Sequence, residues 1–241
     1  MKLIPLIFLL LGSAALVAEN DVVSKADSLF ASRDNDKDLQ NAVSILQEEQ
    51  LRDPSDYEVL WRIAKFSYSL SDRTNDKKEQ ERLLHQGIDA AKKAIAIDSK
   101  RVEAHFWLAA NLGTYSEMKG IWKSLSSLHS IRSEFETAMK IDPVYDNGAV
   151  YLALGEMDLR VPGFLGGDDQ KGLRMLEEGY RKAPSNADLK LTLAAVYVKK
   201  GRKDDGKRLL QSVLDTEDPS LSPNEYQNAR KKAQTSLQES K

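Results

Sequence analysis

The sequence has no cysteine among its 241 residues. Disulfide bridges, thiolate metal sites, a cysteine nucleophile and a lipidated N-terminal cysteine are therefore excluded. Only three histidines occur, and they stand far apart, which leaves little scope for imidazole chemistry. Seven prolines and 13 glycines are too few for a turn-rich all-β chain. These absences favour a helical protein and argue against an enzyme.

The chain also lacks an excess of charge of either sign. Its 35 Lys and Arg residues face 37 Asp and Glu residues, so the net charge is −2. A protein that binds nucleic acid by bulk electrostatics carries a clear positive excess, so we expect no nucleic-acid partner. With 41% apolar and 30% charged residues, the composition is typical of a soluble globular protein of one or two domains.

Motifs for metal or cofactor chemistry are missing. Gly-x-Ser-x-Gly, His-Glu-x-x-His and the Walker sequence do not occur. The spacing of Asp34, Asp36 and Asp38 resembles the start of an EF-hand loop. Leu39 stands where that loop needs glycine, and Ile45 stands where it needs glutamate. We therefore expect no metal, no cofactor and no catalytic residue, and interpret the run as a polar turn in which one Asp caps the next helix.

Long apolar runs are absent after the first 18 residues. At the start, Lys2 supplies a positive charge, residues 3–11 are almost all hydrocarbon, and small residues follow. This order is typical of a secretory signal peptide, with cleavage after Ala15 or Ala18. The alternative is an uncleaved membrane anchor, although a span needs roughly 20 apolar residues. We predict a signal peptide over residues 1–18 and an exported, periplasmic protein.

The rest of the chain carries an internal repeat. Its unit has a small residue, a large apolar residue four positions later, a small residue three later and a helix-ending residue five later. Two examples, the second with Ile in the first small position, are Gly172, Leu176, Gly179 and Pro184, and Ile131, Phe135, Ala138 and Pro143. Spacings of four and three place the first three side chains on one stripe of a helix, and proline ends that helix.

A second apolar stripe precedes each such helix, so the unit is a helix pair. The units end at Pro54, Ser99, Pro143, Pro184 and Asp218, at intervals of 45, 44, 41 and 34 residues. The last interval equals the ~34-residue period of tetratricopeptide helix pairs. We therefore predict one all-α domain over residues 19–241. It is a solenoid of about five degenerate tetratricopeptide-like hairpins with a C-terminal capping helix.

The three longer intervals predict insertions between the two helices of a pair. Residues 71–81 are polar and predict a turn or a helix extension. Apolar side chains spaced by threes and fours in residues 115–128 predict an amphipathic helix extension. Residues 161–169 contain a proline and three glycines, so no helix runs through them. Asp168 and Asp169 are placed to cap the helix that follows.

Aromatic side chains in these insertions are the candidate recognition residues. Trp122 and Phe164 have no role in the repeat, and aromatic anchors serve recognition, so we predict that both bind a partner or an apolar ligand. The turns of successive pairs share one edge of a solenoid, so these two residues are expected to lie close together. Tyr115, Trp107 and Tyr151 complete the predicted binding set, and for these three the alternative is packing in the helix core. The predicted structural positions are Phe135, Ala138, Gly148, Gly155, Gly167 and Asp168.

Three stretches carry a resemblance to a known family. They are AHFWLAANLG (Ala104–Gly113), FETAMKIDPVYDNGAVYLALG (Phe135–Gly155) and GGDDQKGLRMLEEGYRKAP (Gly166–Pro184). Together they resemble the T-component proteins of TRAP transporters, which are periplasmic tetratricopeptide-like proteins that partner a solute-binding protein. The regulator-of-microtubule-dynamics family shares this layout, and the bacterial-style signal peptide favours the first family.

The resemblance implies an exported accessory subunit that binds the periplasmic solute-binding protein of a TRAP transporter. It also implies that this subunit binds a hydrophobic small ligand. T-components are commonly lipoproteins, and because this chain has no cysteine, a free periplasmic form is implied. The alternative is a general periplasmic tetratricopeptide adaptor in envelope assembly, without a transport role. Association into a homo-oligomer stays open at this stage.

Export is testable from the mass of the protein recovered from the periplasm of an expressing bacterium. We expect the mature N-terminus to lie between Leu16 and Glu19, because the small residues before it suit cleavage of a signal peptide. A protein that keeps Met1 and stays in the membrane fraction would contradict this prediction.

Overall fold

The computed structural model describes the backbone of residues 11–120 and 125–239 and the side chains of residues 21–120 and 126–239. Trp122 and the first ten residues of the predicted signal peptide lie outside these ranges. The described part consists of eleven α-helices and one short 3-10 helix, and it has no β-strand. The α-helices are α1 (Leu11–Ala31), α2 (Asp36–Arg52), α3 (Tyr57–Ser71), α4 (Lys77–Ile97), α5 (Val102–Met118), α6 (Leu125–Ile141), α7 (Tyr145–Arg160), α8 (Asp169–Lys182), α9 (Ala187–Lys199), α10 (Lys203–Asp215) and α11 (Pro223–Glu239).

Consecutive helices pack as five pairs, from α1 with α2 to α9 with α10, and α11 closes the row against α10 and α9. The first helices of the pairs also contact one another in sequence, from α1 through α3, α5 and α7 to α9 and then α11. These odd-numbered helices form the inner layer of the solenoid, and the second helices form the outer layer. The predicted all-α solenoid of five tetratricopeptide-like hairpins with a closing helix is confirmed.

Glycines let the two helices of a pair approach closely. A methyl group at Gly155 on α7 would lie 2.8 Å from the Leu176 side chain on α8. A methyl group at Gly179 on α8 would lie 2.5 Å from Cβ of Tyr151 on α7. Both distances are well inside the 3.5–4.0 Å that is roughly optimal for carbon atoms. The small positions of the predicted repeat therefore set the spacing between the inner and outer layers.

Side-chain caps begin several of these helices. Asp168 caps α8, as expected, by accepting hydrogen bonds from the backbone N–H groups of Gln170 and Lys171. The cap of α2 differs from the expectation. It is Asn35, which accepts from the N–H of Lys37, and not one of the neighbouring aspartates. An amide oxygen serves this position as well as a carboxylate does.

The connections inside the pairs correct one predicted element. The continuous helix expected over residues 115–128 is wrong, because α5 ends at Met118 and Gly120 follows with a left-handed φ of +68°. Residues 71–81 contain both a turn and the first residues of α4. Between α7 and α8 stands the 3-10 helix Gly163–Leu165. That turn closes tightly at Gly167, where a side chain would overlap the carbonyl group of Val161.

The two ends of the solenoid meet. The guanidinium of Arg33, just after α1, donates to the carboxylate of Glu225 on α11 over 2.7 Å, across 192 positions of sequence. Asp34 accepts from the hydroxyl of Ser222 and from the backbone N–H of Asn224. Because the first turn thus contacts the last connection, the row of helix pairs closes into a ring.

The beginning of α1 overlaps the predicted signal peptide. Among the side chains of α1 that the structure describes, Val23, Ala26, Leu29 and Phe30 contact the core, and all four follow the predicted cleavage sites. None of the described helices combines the length and the apolar character that a membrane crossing needs. The signal peptide stays a prediction.

Burial of Ala138 on α6 provides a test of the helix packing, because its side chain is fully buried. Ala138→Arg would place an unpaired charge in the core, so we expect a loss of about 3–5 kcal/mol or global unfolding. The control is Ala96→Arg on the exposed side of α4, which should change stability by less than about 0.5 kcal/mol. Urea titration followed by circular dichroism measures both. Equal midpoints would mean that Ala138 is not buried.

Candidate functional site

A cavity of about 840 Å³ lies inside the ring. Its wall comes from the inner helices, mainly α3, α5, α7 and α11, and from both ends of the ring. The space exists because α5 and α7 present small residues to it, among them Ala110, Gly113, Ala149 and Ala153. The volume is within the range of roughly 300–1,000 Å³ that is typical of ligand sites.

One side of the cavity is an aromatic wall. Phe106 meets Trp107 edge-on, with ring centroids 5.0 Å apart, and Tyr68 lies 5.5 Å from Trp107. The indole N–H of Trp107 donates to the hydroxyl of Tyr145 over 2.8 Å. Burial raises the pKa of Tyr145 well above its usual value, so this hydroxyl stays neutral. Because each ring is fixed by a neighbour, the wall keeps its shape without a ligand.

An ammonium group already lies against this wall. Nζ of Lys65 on α3 is 5.4 Å from the ring centroid of Phe30 and 5.3 Å from that of Trp107. The same atom is 3.4 Å from the carboxylate of Asp146. Aromatic faces attract cations at such distances, so the wall can hold a positive group as well as an apolar one.

The first turn of α7 has an unusual backbone. Asp146, Asn147 and Gly148 have φ values of 48°, 55° and 75°, all in the left-handed region. Such conformations cost about 1–3 kcal/mol for a residue other than glycine. Three bonds hold Asn147 in place: its amide N–H donates to Asp218 over 2.9 Å, its amide oxygen accepts from the Ser185 hydroxyl over 3.1 Å, and its backbone carbonyl accepts from Asn186 over 2.8 Å. These bonds tie the cavity wall to α9 and to the connection before α11.

Carboxylates outnumber cations in the cavity wall, by eight to five. Several of these carboxylates form ion pairs with cations of the wall, as Asp146 does with Lys65. Glu156 on α7 is half-buried and accepts a hydrogen bond from Thr192 over 3.2 Å. Burial raises the pKa of Glu156, and the bond from Thr192 and the charge of Arg160 offset only part of this effect. The cavity is therefore aromatic on one side and polar with a negative excess on the other.

The predicted binding residues are not brought together at this cavity. Trp107 lies in its wall and is 6% exposed. Tyr151 is buried between α7 and α8, where its Cβ faces Gly179. Tyr115 is half-buried near the end of α5, with its ring centroid 4.5 Å from that of His85. Neither tyrosine reaches the cavity.

Phe164 and Trp122 were predicted to converge on one edge of the solenoid. Phe164 stands in the 3-10 helix with 88% of its surface exposed. An ion pair between Arg160 and Glu117 joins the ends of α7 and α5, so the turn that holds Phe164 lies beside the end of α5. Trp122 is outside the described residues, and its convergence with Phe164 stays a prediction.

The predicted structural positions all lie at helix contacts or turns. Phe135 and Ala138 are buried on α6, and the ring of Phe135 is 5.6 Å from that of Phe106. A methyl group at Gly148 would lie 2.8 Å from Cβ of Ala183. As described above, Gly155 and Gly167 mark close approaches and Asp168 is a helix cap.

Several cavity residues were missed by sequence reasoning. Lys65 and Tyr68 on α3 and Asp72, which caps its end, follow one another by three and four positions. Ala149, Ala153 and Glu156 are spaced by four and three positions on α7, and all six residues lie in the cavity wall. The sequence signal for these residues was a second stripe at helical spacing on each inner helix, beside the stripe that contacts the other helix of the pair. Because this second stripe mixes polar, small and aromatic residues, the search for apolar periodicity did not detect it.

The groups that line this cavity are aromatic faces, hydrogen-bonding groups and charges. Within the described residues, no group of three or more His, Asp or Glu side chains is arranged to hold a metal ion. The aspartate run that resembles an EF-hand is divided, because Asp34 bonds to Ser222 and Asn224 at the ring closure. Aromatic faces, hydrogen-bonding groups and charges remain as the means of recognition.

Comparison with known families decides the relationship. The family model described as regulator of microtubule dynamics protein 1-3 matches residues 22–156, which is more than half of the chain. The chain belongs to this family. In this family member a tetratricopeptide repeat model also matches residues 167–233.

Curated members of the family are similar over about half of this chain. Regulator of microtubule dynamics protein 1 of Bos taurus is 27% identical over 136 residues, which cover 56% of this chain and 41% of that protein. Regulator of microtubule dynamics protein 3 of Rattus norvegicus is 24% identical over 131 residues, which cover 54% of this chain and 27% of that protein. This family member therefore spans less than half the length of the curated relatives it matches.

Solved structures support the fold. A thermophilic tetratricopeptide repeat protein of Thermus thermophilus superposes with a TM-score of 0.67 at 16% identity, covering 91% of this chain and 99% of the other. MamA superposes with a TM-score of 0.51 at 17% identity, covering 76% and 91%. At these identities the likeness concerns the fold alone.

The match to the regulator of microtubule dynamics family overturns the predicted relationship to TRAP transporters. The predicted T-component assignment, the transport role and the solute-binding protein as partner are wrong. The physical reason lies in the residues that carried the resemblance. Gly148, Gly155, Gly167 and Asp168 are packing and capping positions, and any solenoid with this layout needs them. They carry information about the fold and none about the partner.

Proposed function

We propose that this member of the regulator of microtubule dynamics family is an adaptor that binds an extended segment of a partner protein in the cavity of its ring. The observation that carries the proposal is the cavity itself, with its preformed aromatic wall. Tyr68, Phe106 and Trp107 are held by one another, so little conformational freedom is lost when a ligand binds. Buried aromatic contacts of this kind contribute most of the binding energy at protein interfaces.

The remaining wall favours a peptide over a purely apolar ligand. Ser69, Thr114, Asn224 and Asn228 add hydroxyl and amide groups to the cavity. A peptide offers apolar side chains together with backbone N–H and C=O groups, and an apolar wall alone would leave the latter without partners. The mixture of rings and polar groups supplies both kinds of contact.

Filling the cavity tests this proposal. Random peptides displayed on phage are selected on the immobilised chain, and the affinity of the enriched peptide is then measured by fluorescence anisotropy. Ala110→Gln combined with Ala153→Gln places two longer side chains in the cavity. We expect a loss of affinity of about tenfold or more, which is about 1.4 kcal/mol. Ala195→Gln on the exposed side of α9 is the matched control and should bind normally.

A third variant separates the cavity from the predicted surface anchor. Phe164→Ala removes an exposed ring without affecting the cavity, so the cavity proposal expects unchanged affinity. If affinity falls with Phe164→Ala and survives the two cavity substitutions, the binding site lies at the α7–α8 turn. Failure to enrich any peptide would contradict the adaptor proposal.

A second candidate function is a role in microtubule dynamics, as named for the mammalian relatives. The observation that favours it is the family match over residues 22–156, which includes α3, α5 and most of α7, and with them the aromatic wall. Since the chain covers 41% or less of these two relatives, the shared part would have to act by itself.

Turbidity of polymerising tubulin tests the second candidate. We expect the full chain to change the rate or the extent of polymerisation, and the cavity-filling pair Ala110→Gln and Ala153→Gln to reduce that effect. Ala195→Gln again serves as the control. An unchanged turbidity curve with the chain in excess over tubulin would exclude a direct action on microtubules by this chain.

A further inference from the structure

A polar bridge closes the ring between its first and last elements. The guanidinium of Arg33 contacts Glu225 through Nη2 at 2.7 Å and through Nε at 3.2 Å from each carboxylate oxygen. The same Nη2 donates to the backbone carbonyl of Ser220 over 2.9 Å. Arg73, at the end of α3, adds a contact to Glu225 at 3.2 Å. The carboxylate of Glu225 on the last helix thus forms ion pairs with two arginines, one from each of the first two helix pairs.

Asp34 forms the second half of this bridge. It accepts from the hydroxyl of Ser222, which is 2% exposed, and from the N–H of Asn224 over 3.0 Å. Burial would raise the pKa of Asp34, but the hydrogen bonds from Ser222 and Asn224 outweigh it and lower the pKa. For Glu225 too, burial would raise the pKa, and the bonds from Arg33 and from the Ser222 N–H lower it. Both carboxylates are therefore charged at neutral pH.

The bridge differs in kind from the rest of the packing. α11 packs against α10 and α9 through buried side chains such as Ala229 and Ala233. Hydrogen bonds and ion pairs of Arg33, Asp34 and Arg73 link this end of the chain to the first two helix pairs, and the ion pairs are partly exposed to solvent. Segments held by few buried apolar contacts open more readily than the core does. The junction is thus the place where the ring can part while the helix pairs stay intact.

The same residues belong to the cavity wall. Arg33, Asp34 and Arg73 line it from one end of the chain, and Asn224 and Glu225 line it from the other. The cavity of about 840 Å³ is partly open to solvent and has the volume of a small-molecule site. A segment of a protein continues beyond the part that is bound, so it can reach the inside of a closed ring from the side only where the ring parts.

We propose that Arg33, Asp34, Arg73, Ser222 and Glu225 form a latch, whose opening admits a partner segment from the side of the ring and which then closes behind it. The proposal rests on the proposed function, because it concerns the regulation of the same cavity. Because only the small fraction of open rings can take up the segment, the latch reduces the association rate. Weakening the latch therefore raises the association rate, and locking it prevents entry.

Opening can be measured without any ligand, because the chain has no cysteine of its own. Ser222→Cys places a single thiol inside the latch, and its reaction with Ellman's reagent reports opening. We expect this thiol to react at least about tenfold more slowly than the one from Ser133→Cys on the exposed side of α6. Adding Glu225→Gln removes the negative charge that pairs with both arginines and should speed the Ser222→Cys reaction by about tenfold or more.

The Ser133→Cys thiol should react at the same rate with and without Glu225→Gln. Circular dichroism of each variant checks that the helices are retained. If Glu225→Gln unfolds the chain, Arg73→Gln is used in its place, because it removes only the ion pair between Arg73 and Glu225. Equal rates for Ser222→Cys with and without the weakened latch overturn the proposal.

Cross-linking tests the gate itself. Asp34→Cys and Ser222→Cys place two thiols across the latch, and a short bifunctional maleimide joins them. The probe is the peptide selected on the wild-type chain. We expect its association rate to fall by about tenfold or more after linking, and a peptide bound before linking to dissociate more slowly by a similar factor.

The outcomes separate the two proposals. If the unlinked double variant does not bind the peptide although wild type does, the latch residues are part of the binding surface, and the gate is overturned. If linked and unlinked forms bind at equal rates, the ring needs no opening and the gate is again overturned. If neither the wild-type chain nor any variant binds a selected peptide, the adaptor proposal fails. The reaction rates of the Ser222→Cys thiol still decide whether the latch opens.

Discussion

Close approach of the inner and outer helices is the contact on which the rest of the structure depends. It requires that one member of each crossing be small, as at Gly155 opposite Leu176 and at Gly179 opposite Tyr151. Once the outer helix occupies one side of an inner helix, the opposite side of that helix faces the interior of the ring. Small residues such as Ala110 and Ala153 on this side leave the interior unfilled. The cavity is therefore a consequence of how the repeat packs.

Asp218 connects the inner helices α7 and α9 to the last part of the chain through hydrogen bonds. One of its carboxylate oxygens accepts from Asn147 on α7 and the other from the backbone N–H of Ala187 on α9. The strained turn at Asn147 is held by these and neighbouring bonds, and in return it fixes the connection that leads to α11. That connection carries Ser222 and places Glu225 opposite Arg33. A local distortion at the start of α7 thus determines where the ring closes.

The fold was accessible from the sequence, because its signals are local. Spacings of three and four, small residues at crossings and helix-ending residues recur within each unit, and the helix pairs follow from them. The helix expected over residues 115–128 failed at one glycine, Gly120, whose left-handed φ the apolar spacing does not reveal. The cavity could not be predicted, since its wall joins Phe30, Lys65 and Trp107 from three helices. The family was misassigned because its most distinctive motif consists of packing positions.

The cavity wall and the closure of the ring come from two parts of the chain that match different family models. The family match ends at residue 156 and contains the aromatic wall together with Arg33, Asp34 and Arg73. Ser222 and Glu225, which close the ring, lie in the region that matches a tetratricopeptide repeat model. The shared part by itself would present an open groove, because half of the latch would be missing. Closure of the ring is thus a property of the whole chain, and under the two proposals a partner segment would contact the wall inherited from the family and enter through a latch that needs the second part as well.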